Sequence, residues 1–168
     1  MFNAEKSTDR LGNYRLMVAA VKSLVEDEQN IIACLSNASA IINFYMDTIN
    51  WAGFYIFEES TGELVLGPFQ GLPACMRIKI GLGVCGTAAG LGEVIVVPDV
   101  ESFPGHIACD ANSRSEIVLP LFNPDGSVYG VLDIDSPVAN RFLAPERSAL
   151  EEIVGFIGTL LTLQRRLL

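Results

Sequence analysis

Basic side chains are scarce in this sequence of 168 residues: 11 Lys and Arg stand against 20 Asp and Glu, a formal net charge of −9. Binding a phosphate backbone requires clustered Lys and Arg. Here they are scattered apart from Arg165-Arg166, which argues against a nucleic-acid partner. No uncharged apolar run reaches the ~18 residues of a membrane span. The opening MFNAEKSTDR lacks the apolar stretch of a secretory signal, so a cytoplasmic location and no membrane association are expected. There is no CxxC pair and only one histidine. A zinc site would have to draw on Cys75, Cys85, Cys109 and His106, whose spacing is loose, so neither metal nor other cofactor is expected. Repeats and low-complexity stretches are also missing.

What is present is a core. Half the residues are hydrophobic and 18% are charged, the balance of a globular protein. The length suits one domain spanning 1–168. Apolar positions at helical spacing predict a helix over about 11–28 (Leu11, Tyr14, Val18, Val21, Val25). A second is predicted over about 29–46 (Ile31, Leu35, Ala38, Ile42, Tyr45). Cys34 falls in the second and reads as a core cysteine. Strands are expected at 49–57, 64–66, 76–80 and 94–97, with a short glycine-entered helix between the last two. A hairpin follows, 115–122 and 127–136, joined at Asn123-Pro124-Asp125-Gly126. A final helix is expected over 145–166, with Leu150, Ile153, Ile157, Leu160 and Leu161 on its apolar face. The order predicts an α+β domain, a central antiparallel sheet with N- and C-terminal helices packed on one face.

If Phe122 pairs with Ser127, Glu116 falls opposite Asp133 and Arg114 opposite Asp135. Alternation then collects Glu116, Asp133 and Asp135 on one face, with Ile117, Leu119, Leu121, Leu132 and Ile134 on the other. Facing like charges destabilise a sheet by roughly 0.2–1 kcal/mol per pair, so a retained cluster suggests a bound cation, ammonium group or proton. A solvated face salt-bridged to Arg114 is the plainer alternative. Trp51, Gly53 and Tyr55 also share a face, either as an apolar ligand wall or as ordinary core.

Two segments carry the remaining thiols of interest. Cys85 lies in Gly83-Val84-Cys85-Gly86-Thr87-Ala88, at the expected start of the short helix, where a helix dipole favours thiolate. Cys109 lies in Pro104-Gly105-His106-Ile107-Ala108-Cys109-Asp110, and His106 is either structural or a group that polarises it. Together with Asn50-Trp51-Ala52-Gly53-Phe54-Tyr55, Leu66–Gly71, Ser115–Val118 and Gly130–Ser136, these segments closely resemble the free methionine-(R)-sulfoxide reductases, which are GAF-domain enzymes.

The resemblance covers about 50–136 and implies a single GAF-like domain that reduces free methionine-(R)-sulfoxide to methionine. It implies Cys109 as the nucleophile that becomes a sulfenic acid. Cys75 is implied as the main resolving thiol, with Cys85 as a third cysteine in the relay. Glu116, Asp133 and Asp135 would hold the substrate, Glu116 and Asp135 also assisting the sulfoxide oxygen. Trp51 and Tyr55 would receive its methyl end. A thioredoxin-like reductant is the implied partner. The apolar terminal helices could support a homodimer.

Overall fold

The computed structural model describes residues 5–106 and 110–165, with side chains to 161. Helix α1 (Arg10–Val25) starts where the Asp9 carboxylate accepts from Gly12 N–H at 2.7 Å. Helix α2 (Ile31–Tyr45) starts where Asn30 Oδ1 accepts from the N–H groups of Ile32 and Ala33. Both are side-chain caps that satisfy otherwise orphaned donors.

Then come β1 (Trp51–Glu58), β2 (Glu63–Gly71), β3 (Arg77–Lys79), α3 (Gly83–Leu91) and β4 (Ile95–Val97). A 3-10 turn at Val100–Ser102 leads to β5 (Ser115–Phe122), β6 (Val128–Ser136) and α4 (Ala144–Arg165). The strands form one antiparallel sheet in the order β3-β2-β1-β6-β5-β4.

The sheet has two differently covered faces. One carries Ala52, Phe54, Ile117, Leu119, Leu121, Leu132 and Ile134 against α1, α2 and α4, forming the larger core. Cys34 is wholly buried there, as its helical position predicts. The predicted face of α4 is buried, from Leu150 to Leu161. Leu11 is the exception on α1: it is 52% exposed, because it lies at the outer lip of the groove between α1 and α4. No helix among the described residues is long and apolar enough to cross a membrane.

The second face carries Trp51, Tyr55, Val118 and Val131 and is covered by α3. A Cβ at Gly86 would collide with the Lys79 carbonyl, so glycine lets the helix sit directly on β3. Gly81 N–H donates to the Gly86 carbonyl at 2.8 Å and closes the approach.

Two sequence expectations require correction. Strand β2 runs to Gly71 instead of ending at Leu66, because the register shift between Gly53 and Tyr55 absorbs Gly67-Pro68 as a bulge. Proline is tolerated at such a bulge, where no ladder N–H is needed. The hairpin register is also displaced. Glu116 pairs with Asp135 and Val118 with Asp133, because an irregularity between Leu121 and Phe122 adds length at the turn. Arg114 therefore does not face Asp135. Its backbone N–H bonds the Ser136 carbonyl, and its side chain reaches Asp99 at 3.5 Å. The displacement is one residue at Phe122 and two from Leu121 to Ser115, an even number there, so the side chains of that stretch keep their predicted faces.

Candidate functional site

On the α3 face, pairing across three strands assembles the site. Trp51 is opposite Asp135 and Gly53 opposite Asp133 on β1 and β6. Glu116 is opposite Asp135 on β5 and β6. Alternation directs all of these side chains toward α3.

Gly53 has a definite task. A Cβ there would collide with Phe69 Cβ and the Trp51 ring. Its absence allows the indole to stack on Phe69, with centroids 5.4 Å apart, and on Tyr55 at 5.9 Å. Trp51 Nε1–H donates to the Leu72 carbonyl at 3.1 Å, fixing the indole plane. The stacked aromatics are part of the second core, as the ordinary-core alternative had it, and they also border the recesses beside it.

Against this wall lies a small cavity lined by Cys85, His106, Asp110, Glu116, Asp133 and Asp135, among others. A smaller recess shares Tyr55, Asp110, Asp133 and Asp135 and extends past Trp51 to Leu72, Pro73 and Ala74. Glu116 and Asp133 are only 5% and 7% exposed, so the solvated-face alternative does not describe them. One Asp133 oxygen, Oδ1, is buried with no hydrogen-bond partner. A buried, unpartnered carboxylate oxygen in a cavity is a receptor for a donor.

Burial sets the electrostatics. It pushes the carboxyls of Glu116, Asp133 and Asp135 well above the usual range, and their mutual repulsion adds to it. Burial also pushes the Cys85 thiol well up, and Asp133 and Glu116 add to that. Cys85 Sγ lies 4.0 Å from Glu116 Oε1. Cys85, Glu116 and Asp133 each place one ligand-type atom within 4.8 Å of the others. This differs from the zinc set considered from sequence: of its described members Cys75, Cys85 and His106, only Cys85 belongs to the cluster. Burial lowers the pKa of His106, whose Nε2 is 3.5 Å from Glu116 Oε2.

At the mouth the balance reverses. The Asp110 carboxyl is held below the usual range, first by the Asn112 backbone N–H and then by the Asn50 side chain. One cavity thus holds carboxyls driven in opposite directions, a pattern suited to separate acid and anion roles.

Among the residues predicted for the site, Trp51, Tyr55, Cys85, Glu116, Asp133 and Asp135 line these two recesses. Cys75 carries a free thiol on the loop between β2 and β3, half-buried beside Ala74 and packed on the second core. Cys109 lies outside the described residues. Its chain neighbour Asp110 and the nearby His106 both line the larger cavity.

Three residues without an assigned role from sequence also belong here. Asn50 Nδ2 donates to Asp110 Oδ2 at 2.8 Å and to Ser113 Oγ at 3.0 Å. The Ser113 hydroxyl supports Asp135 in turn. The available signal was the Asp110-x-Asn112-Ser113 run of turn formers, in which Asp110 Oδ1 accepts from Asn112 N–H at 2.8 Å.

The fold and its cavity define the chain as a GAF domain, and the GAF domain family matches residues 27–161. "Protein YtsP" of Bacillus subtilis is 56% identical over 143 residues, covering 84% of this chain and 87% of its own. A protein of Escherichia coli K12 named free methionine-R-sulfoxide reductase is 50% identical over 132 residues, covering 79% and 78%. The solved free methionine-R-sulfoxide reductase of Neisseria meningitidis, in complex with its substrate, superposes with a TM-score of 0.94 at 39% identity, covering 100% of both chains. The chain belongs to the free methionine-R-sulfoxide reductase family of GAF-domain proteins.

Proposed function

We propose that this protein reduces free methionine-(R)-sulfoxide to methionine, with Cys109 as the nucleophile. The observation that carries this reading is the cavity itself. Three carboxyls with raised pKa values, the buried Glu116 and Asp133 and the half-buried Asp135, converge beside an aromatic wall, and residues on either side of Cys109 line the same space.

A sulfoxide oxygen leaves only when protonated or strongly hydrogen-bonded, and a carboxyl that stays protonated near neutral pH can do this. In this account Glu116 and Asp135 serve the oxygen. Asp133 Oδ1 receives a substrate donor, and the ionised Asp110 adds negative charge for the ammonium group of a free amino acid. Trp51 and Tyr55 hold the methyl end. The Cys109 sulfur attacks the sulfoxide sulfur, the oxygen is transferred, and the products are methionine and a Cys109 sulfenic acid.

The sulfenic acid condenses with a second thiol, forming a disulfide and releasing water. Cys75, which borders the smaller recess in sequence, is the main partner. Cys85, kept as a protonated thiol by burial, suits a later place in the relay better than first attack. An external dithiol of thioredoxin type, near about −270 mV, then takes the disulfide and restores the thiols.

Incubating the protein with each epimer of free methionine sulfoxide and a dithiol tests the reading. Consumption of the R epimer with formation of methionine is the expected result. No turnover of either epimer with thiols intact would instead favour a ligand-sensing GAF module.

A further inference from the structure

We infer that His106 is a positioning residue, acting through Glu116 to set which carboxyl oxygen carries the proton used on the sulfoxide. The inference rests on the reductase reading and extends it to a residue that the reading leaves without a role. His106 is the only histidine in the chain and the only side chain among those lining the cavity that can be cationic. The side chains of His106 and Glu116 are 16% and 7% exposed, so little water competes for their contact.

The two Glu116 oxygens have different neighbours. Oε2 lies 3.5 Å from His106 Nε2, while Oε1 lies 4.0 Å from Cys85 Sγ. A carboxyl oxygen that receives an N–H is disfavoured as the site of the proton. A neutral imidazole protonated at Nε2 that turns this N–H to Oε2 leaves the carboxyl proton on Oε1, on the side of Cys85, with Asp133 also hydrogen-bonded to Glu116. His106 is itself anchored, since its backbone N–H donates to the Phe103 carbonyl at 3.1 Å. Among the described residues, the other titratable groups around the cavity are Asp110, Asp133, Asp135, Cys85 and Tyr55. None of them is a cation that could replace the imidazole.

The test compares His106→Leu, His106→Gln and His106→Asn. Glutamine places an N–H about where Nε2 stands, asparagine holds its amide nearer the backbone, and leucine has no donor. Without the donor, kcat should fall about tenfold or more, with KM changed much less. An N–H donor favours the ionised carboxyl, so its loss should also move the alkaline limb of the kcat profile upward. His106→Gln should retain both the rate and the position of that limb, and His106→Asn should not.

A purely structural role would alter KM and thermal stability while leaving the limb in place. Wild-type kcat in His106→Leu, or equal losses in the Gln and Asn variants, would overturn the inference. Should the leucine variant not fold, the Gln–Asn comparison decides alone. The contact is also read without turnover. The imidazole nitrogen chemical shifts of the whole protein should report an Nε2–H tautomer that weakens in Glu116→Gln. That result separates a failure of this inference from a failure of the reductase reading.

Discussion

Replacing Asp133 by Asn removes an ionisable group from the most buried part of the site while preserving its shape. Its carboxyl is pushed well above the usual range, first by burial and then by Glu116. A group whose native pKa lies above its unfolded value contributes stability that is fully present below the unfolded value. That contribution is lost as pH rises through the native one. The window therefore opens near the ordinary aspartate value of 3.8. Within it, the wild-type protein should lose about 1.4 kcal/mol of stability per pH unit on account of this carboxyl.

Glu116 and Asp135 are present in both proteins, and Asp133 itself acts on both carboxyls, so the difference reports Asp133 together with its coupling to them. Urea unfolding at a series of pH values from about 4 upward, with thiols kept reduced, measures this difference. The variant should gain on the wild type at up to about 1.4 kcal/mol per pH unit while the native carboxyl remains protonated. It should also lose turnover. Parallel stability curves across the whole range would refute the argument that burial raises the Asp133 carboxyl in the folded protein.

Gly53→Ala places a methyl group into Phe69 and the Trp51 ring, so it should destabilise by about 1–3 kcal/mol and impair turnover by displacing the wall, as read by denaturation and kcat/KM. Cys34→Ala should leave turnover intact and lower stability by about 1 kcal/mol, because that thiol is packed in the opposite core. Alkylation of Cys85 should be slow at neutral pH and accelerate only above the ordinary thiol range, since burial raises its pKa; peptide mapping of the alkylated protein reads this. Arg141→Met should destabilise by about 3–5 kcal/mol, by leaving Glu146, paired at 2.9 Å, as an uncompensated buried charge.

Much of this architecture is carried by periodicity. The alternation in 115–122 and 128–136 assigned both faces of the hairpin correctly, although its register was displaced, because a shift of two residues leaves parity unchanged. The register itself depends on the irregularity at Leu121–Phe122, which no local pattern announces. The sequence pattern ends β2 early, because Gly67-Pro68 ordinarily terminates a strand, whereas in the fold the pair sits in a bulge against β1.

The burial of Glu116 and Asp133 depends on α3 and the loop that carries His106 closing over the sheet, which is a long-range event. Alternation shows that charges share a face. It does not show whether that face is dry. The roles of Asn50 and Ser113 were hidden for the same reason, since their bonds join segments about sixty residues apart.

The most direct test of the account is a single-turnover reaction without reductant. The reduced protein is mixed with excess free methionine-(R)-sulfoxide, and both methionine and the cysteine peptides are quantified. The account predicts one methionine per chain, accompanied by a disulfide that includes Cys109, and neither product from Cys109→Ser. Stoichiometric methionine from Cys109→Ser, or a first-formed disulfide lacking Cys109, would contradict it.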